Sequence, residues 1–377
     1  GLMLRSLSAL QEVELGFQPD DLLTFQVSLA TNAYPDPQDV TGFYGGFLER
    51  VRALPGVTEA TATSGLPPLR EVNANDTEFE GVERTDDGPA HNVDYWTGVE
   101  TDYLVTMDMQ LVEGRGFERA DMGGENLVML VNERLARTFY PGTTPVGRRI
   151  RPCCGDDNPW FTVVGIVADV KQGGVNNEPG TELFFLNPQV GQAGVFAYRT
   201  MNGVVRTDGD ALQLAPPIRR ILGELDRSLP MANVQTMEEN ISRTVAQPRF
   251  LALLLGLFAG IALVLAAVGT YGVMSYSVAA RNREIGIRMA MGAEAGSVQR
   301  MILRQGTALA GAGLVLGVGG AMGLTRLLSS QLYEVSATDV QTFVLAPLFL
   351  AAVALVACFL PARRATRVDP VQALREE

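Results

Sequence analysis

Apolar and polar positions divide the chain into two stretches of different rhythm. Up to about residue 246, apolar residues come in short runs broken by turn formers; beyond it they fuse into three long blocks, Phe250–Ala280, Gly306–Thr325 and Thr342–Leu360. Blocks near or above the ~18–20 residues needed to cross a hydrocarbon core predict membrane-spanning helices, here over about 250–276, 305–326 and 341–361. In the first stretch, Leu22–Leu29 reads as a strand. Val40, Phe43, Tyr44, Phe47, Leu48, Val51 and Leu54 repeat at i, i+3, i+4 and i+7, an amphipathic helix stopped by Pro55-Gly56. Val57–Thr63 follows as a second strand, giving a β-α-β opening.

The middle of the chain is punctuated differently. Asn73–Asp94 is polar and turn-rich, a loop or weak hairpin. Leu127–Val131, Trp160–Val170 and Leu183–Leu186 read as strands, with a short helix through Arg134, Leu135 and Phe139. Val195–Arg206 resumes strand character, and a helix through Leu212, Ile218, Ile221, Leu222 and Leu225 must start at, or break on, Pro216-Pro217. Val234–Met237 is a short strand, and Glu238–Arg249 is helical and runs into the first apolar block. Leu2, Leu4, Leu7 and Leu10 share a helical face. Residues 1–17 are too short and charged to span alone; they read as the outer end of a truncated first span, with an amphipathic helix as the alternative.

Charge then orients the pattern. From Ala246 onward there are eleven arginines, no lysine and seven carboxylates, a balance of +4, which leaves −16 for the residues before it. Arg281, Arg283, Arg288, Arg300 and Arg304 crowd the loop after the first span, and Arg363, Arg364, Arg367 and Arg375 follow the last. The loop Ser329–Val340 holds only Glu334 and Asp339. The positive-inside rule puts the Arg281 loop and the C-terminus in the cytosol and the acidic domain outside. Spread acidity argues against nucleic acid, whose phosphates require clustered Lys and Arg.

The chemistry for an active site is sparse. The single lysine, Lys171, follows Val170, so no Gly-Lys-Ser/Thr phosphate loop exists. There is no G-x-S-x-G, and one histidine, His91, lies in a polar stretch. Cys153 and Cys154 are adjacent, Cys358 lies inside the last block, and no CxxC occurs, which argues against a zinc site. The spans hold no deep carboxylate or cation for a proton relay. The second span is glycine-dense: Gly313 with Gly317, and Gly319 with Gly323, have the GxxxG spacing that lets helices approach closely, within one bundle or across a dimer seam.

The run Arg283-Glu284-Ile285-Gly286-Ile287-Arg288-Met289-Ala290-Met291-Gly292-Ala293 resembles the MacB/FtsX-type permeases of ATP-binding-cassette (ABC) transporters. Pro361–Ala365 and Val368–Arg375 resemble that family's C-terminal signature, Val163–Val170 a segment of its outer domain, and Gly16–Leu23 the region after its first span. The wording around Gly16 and the C-terminus is nearest to the duplicated orphan permeases, in which two such units lie in one polypeptide. The resemblance implies an α+β extracytoplasmic core domain over 18–247, with a porter-like part and a second subdomain inserted at about 100–190, followed by a permease domain over 248–377.

It further implies mechanotransmission: a separate cytosolic ABC ATPase binds ATP, this chain carries no cofactor, and the spans pass movement to the outer domain to export or extract a lipophilic or peptide substrate. Implied partners are that ATPase, a second permease unit as homodimer or tandem copy, membrane lipid and a periplasmic adaptor, in a bacterial inner membrane. Arg283, Glu284, Ile285, Gly286, Ile287, Arg288 and Met289 are the expected coupling residues, with Ile285 and Met289 offered to a partner groove; packing of the loop on the spans, or arginine anchoring to lipid headgroups, is the simpler alternative. A non-transporting regulator of a periplasmic partner is the second reading, and a stable enzyme or sensor partner of the isolated outer domain would favour it. An enzyme with its own active site has no supporting constellation.

Overall fold

The computed structural model describes residues 13–85, 88–123, 126–152, 158–244, 246–281, 284–285, 287–288, 291, 294–327 and 339–365. The stretch 1–12, Cys153 and Cys154, Arg283, Gly286, Met289 and the signature from Val368 lie outside them. Two compact units divide the chain, Val13–Ala246 and the residues from Gln247 onward.

The first unit is organised on one mixed sheet. Its strands are β1 (Leu22–Ser28), β2 (Val57–Thr63), β3 (Asn75–Phe79), β4 (Asn92–Val93), β5 (Tyr95–Val99), β6 (Leu111–Gly114), β7 (Val128–Asn132), β8 (Arg149–Pro152), β9 (Phe161–Val167), β10 (Glu182–Leu186), β11 (Thr200–Thr207) and β12 (Ala232–Thr236). The spatial order is β12-β1-β11-β2-β5-β10-β7-β9-β8-β3-β4, with β6 pairing β9 off this path.

The first four strands in that order form a split β-α-β lobe. Helix α1 (Pro37–Arg52) joins β1 to β2, and a helix at Ala215–Leu225 joins β11 to β12. β1 and β2 do not pair, because β11 lies between them, antiparallel to both; the arrangement is ferredoxin-like. α1 starts on Asp36 with Pro37 in its first turn and buries Val40, Tyr44, Phe47, Leu48 and Val51. That is the face which the i, i+3, i+4 spacing defines. Pro216 and Pro217 sit at the start of their helix, where a missing N–H costs nothing.

The remaining strands form a second lobe. They lie between β2 and β11 in the sequence, so β3, β4 and β5 belong to it as well as the strands after residue 100. β3 and β4 make a short hairpin where a loop or weak hairpin is expected. The lobes join where β2 meets β5: Thr63 faces Val99, Ser64 N donates to Gly98 O (2.8 Å), and Glu100 N donates to Ala62 O (3.1 Å). Thr63 is also paired with Asn202 of β11.

Strand alternation sorts the core by face. Leu23, Phe25, Val27 and Val205 pack under α1, whereas Met129, Val131, Leu183 and Phe185 pack in the second lobe. Their sequence neighbours Leu22, Val204, Leu130 and Phe184 point the other way and meet Phe17, Val99, Tyr103, Met107, Val167 and Met237 in a third cluster. This third core crosses both lobes. It also takes in the chain where it enters the domain, at Phe17, and where it leaves, at Met237.

The second unit holds three apolar helices, Ala246–Ala279, Ala295–Leu327 and Val340–Ala365. Stretches of 31, 29 and 25 residues within them are long and apolar enough to cross a membrane. Their large apolar side chains face outward, Leu265, Leu316 and Leu348 among them. A helix apolar all round belongs in lipid.

Candidate functional site

At the Arg281 end of the three helices, one small cluster holds all of them together. Ile285 is 2% exposed and packs with Met274 of the first helix, Val298 and Ile302 of the second, and Cys358 and Ala362 of the third. Gly306 allows this convergence, since a Cβ there would lie 2.7 Å from Cys358 Sγ and 3.2 Å from Met274 Cε. Glu284 and Arg288, one turn apart, form an ion pair (2.6 Å) with both side chains about half exposed. Arg288 Nη1 also donates to Met301 Sδ (3.0 Å), and Arg281 Nη1 to Gln305 Oε1 (3.3 Å). Ile287 and Met291 are exposed.

Ile285 is thus not presented to a partner, contrary to the expectation that a partner groove takes it. The neighbours that bury it come from residues 274, 298, 302, 358 and 362, which spacing within the loop does not reveal. The outward residues are Glu284, Ile287 and Arg288.

The glycine pairs behave differently from Gly306. Beyond its own stretch of helix, a Cβ at Gly313, Gly317, Gly319 or Gly323 would meet no atom of the described residues within 4 Å, so none of the four is in close contact with another described helix. Gly313 and Gly317 instead line a gap of about 930 Å³ with Ala252, Ala310, Ala346 and Leu350.

The first unit has its own polar centre, at the lobe junction. Arg70, after β2, reaches into the sheet: Nη1 donates to Thr97 Oγ1 (2.6 Å) and to Glu182 Oε1 (3.1 Å), and Nη2 to Trp96 O (3.1 Å). Its guanidinium lies 5.0 Å from the Tyr95 ring centroid. Gln172 Nε2 donates to both Glu182 oxygens (3.0 Å each), and Thr97 Oγ1 donates to one. Burial pushes the Glu182 carboxyl upward while Arg70 pulls it down. Close by, Asn240 of the helix Met237–Thr244 donates to Pro67 O (3.0 Å) and accepts from Gln235 Nε2 (3.0 Å). That helix precedes the first span by one residue, so the chain on its way to the membrane is tied to the loop that carries Arg70.

The two outer-domain stretches that carry the family resemblance meet in space. Lys171 N donates to Leu15 O (3.0 Å), and a Cβ on Gly16 (φ +83°) would lie 2.1 Å from Asp169 O; only glycine fits there. The Asp169 carboxylate accepts from Asn132 Nδ2 (2.8 Å), Arg134 N (2.7 Å) and Arg137 Nη2. His91 is buried edge-on against the stacked rings of Phe79 and Phe139, and burial holds its pKa below the usual range; it is a core residue. Among the described residues no group of three or more His, Cys, Asp or Glu is placed to hold a metal.

A permease is the class that these features define: a split β-α-β outer domain with an inserted lobe, joined through the chain to three spanning helices. The model of the MacB-like periplasmic core domain matches residues 7–228, and that of the FtsX-like permease C-terminal domain matches 256–370. The chain belongs to the MacB/FtsX-type permeases of ABC transporters. It is 29% identical over 289 residues to the macrolide export ATP-binding/permease protein MacB of Chromobacterium violaceum, covering 74% of this chain and 43% of that protein. The pyoverdine export ATP-binding/permease protein PvdT of Pseudomonas aeruginosa is 27% identical, with 76% and 43% covered. The chain spans less than half the length of these export proteins. The ABC transporter permease YknZ of Bacillus subtilis is 23% identical over 97% of this chain and 85% of its own length. Among solved structures, the periplasmic region of MacB from Actinobacillus actinomycetemcomitans aligns with 63% of this chain and 97% of itself, at 13% identity and a TM-score of 0.42.

Proposed function

We propose that this chain is a mechanotransmitting permease, which passes the work of a separate cytosolic ABC ATPase through its spans to the outer domain and so exports or extracts a lipophilic or peptide substrate. Its relatives named for macrolide and pyoverdine export support that substrate class. The observation that carries the reading is Ile285. Its burial against all three helices, with Glu284, Ile287 and Arg288 outside, makes the short segment a handle: a push on its outer face reaches every span at once. By the positive-inside rule, the basic ends at Arg281 and Arg363 favour the cytosolic side for this handle. The open glycines from Gly313 to Gly323 suit a second permease unit.

The experiment reconstitutes the full chain with the ATPase of its transporter in vesicles and measures hydrolysis. Ile287→Arg with Glu284→Ala is expected to lower stimulated turnover about tenfold, a loss of the order of one apolar contact and one exposed ion pair. Turnover and co-purification equal to the parent protein would remove the handle.

A further inference from the structure

We infer that the first and third spanning helices form a groove for one anionic phospholipid, its acyl chain between them and its phosphate on Arg364. On the third helix, Val353, Val356, Leu360 and Arg364 share a face at helical spacing; the first helix contributes Ala267, Val268 and Tyr271. These residues, short of Arg364, line a trough of about 460 Å³ whose one polar side chain is Tyr271. From Val353 to Leu360 it runs about 10 Å along the helix. At its end, Arg364 Nη1 donates to the Tyr271 hydroxyl (2.6 Å), with the guanidinium 5.9 Å from the ring centroid.

An aliphatic trough ending in a fixed cation matches an apolar chain with an anionic head. A guanidinium has five N–H donors in a fork that fits phosphate oxygens, and Tyr271 engages one of them while fixing the plane of the others. Arg363 stands beside Arg364 and adds to the positive field there. A helix of a second copy is the competing occupant. The apolar blocks Phe250–Ala280, Gly306–Thr325 and Thr342–Leu360 contain no Asp or Glu. Along the trough a spanning helix of another copy therefore offers no anion, and Glu284, four residues past the end of the first block as Arg364 is past the third, is already paired with Arg288, whereas a phosphatidylglycerol headgroup brings a free anion to Arg364.

The test uses the purified full chain in detergent with equal amounts of phosphatidylglycerol and phosphatidylcholine, and counts retained lipid by native mass spectrometry. One phosphatidylglycerol retained in preference is the expected result. Arg364→Gln is expected to lower that retention about tenfold, the worth of one charge-assisted contact, and Tyr271→Phe to lower it less. Val356→Trp fills the trough without touching the charge and is expected to lower retention too, with unchanged elution in size exclusion. Equal retention of the two lipids by the parent chain, or retention unchanged in both Arg364→Gln and Val356→Trp, would overturn the inference. So would efficient disulfide cross-linking between two copies through Val268→Cys, which would give the trough to a second chain.

Discussion

Removing Arg70 probes how β5 and β10, the strands of the second lobe beside the lobe junction, are held. Arg70→Met keeps most of the side-chain volume but leaves Glu182, whose side chain is 1% exposed, without a cation. A charged carboxylate left that way would cost about 3–5 kcal/mol. It has a cheaper route, because it can take up a proton. From the ordinary value of 4.5, holding a carboxyl neutral at pH 7 costs about 3.4 kcal/mol at 1.36 kcal/mol per pH unit. At pH 5 the same cost is about 0.7 kcal/mol. Burial already holds the Glu182 carboxyl above its ordinary range in the parent chain, so the Arg70→Met chain is expected to lose at most about 3 kcal/mol at pH 7 and less than about 1 kcal/mol at pH 5. The sign follows from linkage: a carboxyl whose folded pKa is raised stabilises the fold below its unfolded pKa, and that contribution is lost as pH rises. Both tryptophans, Trp96 and Trp160, lie in the outer domain, so their fluorescence during denaturant unfolding of the full chain in detergent reports on that domain alone. Arg70→Met/Glu182→Leu is expected to recover most of the loss, since a buried pair exchanged for apolar residues is near neutral. A single variant equally destabilised at both pH values, or a double variant no better than the single, would refute this account of the junction.

Glu100, buried at the same junction with Asn187 Nδ2 on its carboxyl (3.2 Å), has a pKa pushed up by burial to about 7. Its contribution to stability is complete below pH 4.5 and falls through pH 7 by about 3 kcal/mol in all, so Glu100→Gln should flatten the pH dependence of the same fluorescence-monitored unfolding over that range. Gly306→Val should part the three helices and expose Cys358, seen as one additional maleimide adduct by intact mass, whereas Gly319→Val should leave the adduct count unchanged.

Local elements were legible wherever one face of an element was apolar and the other polar. α1 is the clear case: Val40, Tyr44, Phe47 and Val51 mark its buried face without any tertiary information. The placement of β11 between β1 and β2 was not legible, because that pairing joins residues about 140–180 positions apart and leaves no local trace. β6 was missed for a different reason: Leu111, Val112, Glu113 and Gly114 are all exposed, so no alternation marks the strand. The segment Arg283–Met289 stands out through its family wording, yet the inward direction of Ile285 depends on side chains from three helices. Arg70 gave no signal at all. It reads as an ordinary loop arginine, and only the fold brings Thr97 and Glu182 to it.

The pairing of Thr63 with Asn202 has a consequence for how such proteins diversify. The second lobe leaves the first after β2 and returns at β11, so its two ends lie side by side on adjacent strands. Neither end runs to the membrane. A segment grafted at two neighbouring points can be lengthened, shortened or exchanged at little cost in loop closure, while β12 and the helix Met237–Thr244 keep their path to the first span. Natural variation or laboratory swapping can therefore change the second lobe and leave the split β-α-β lobe and its chain link to the first span intact.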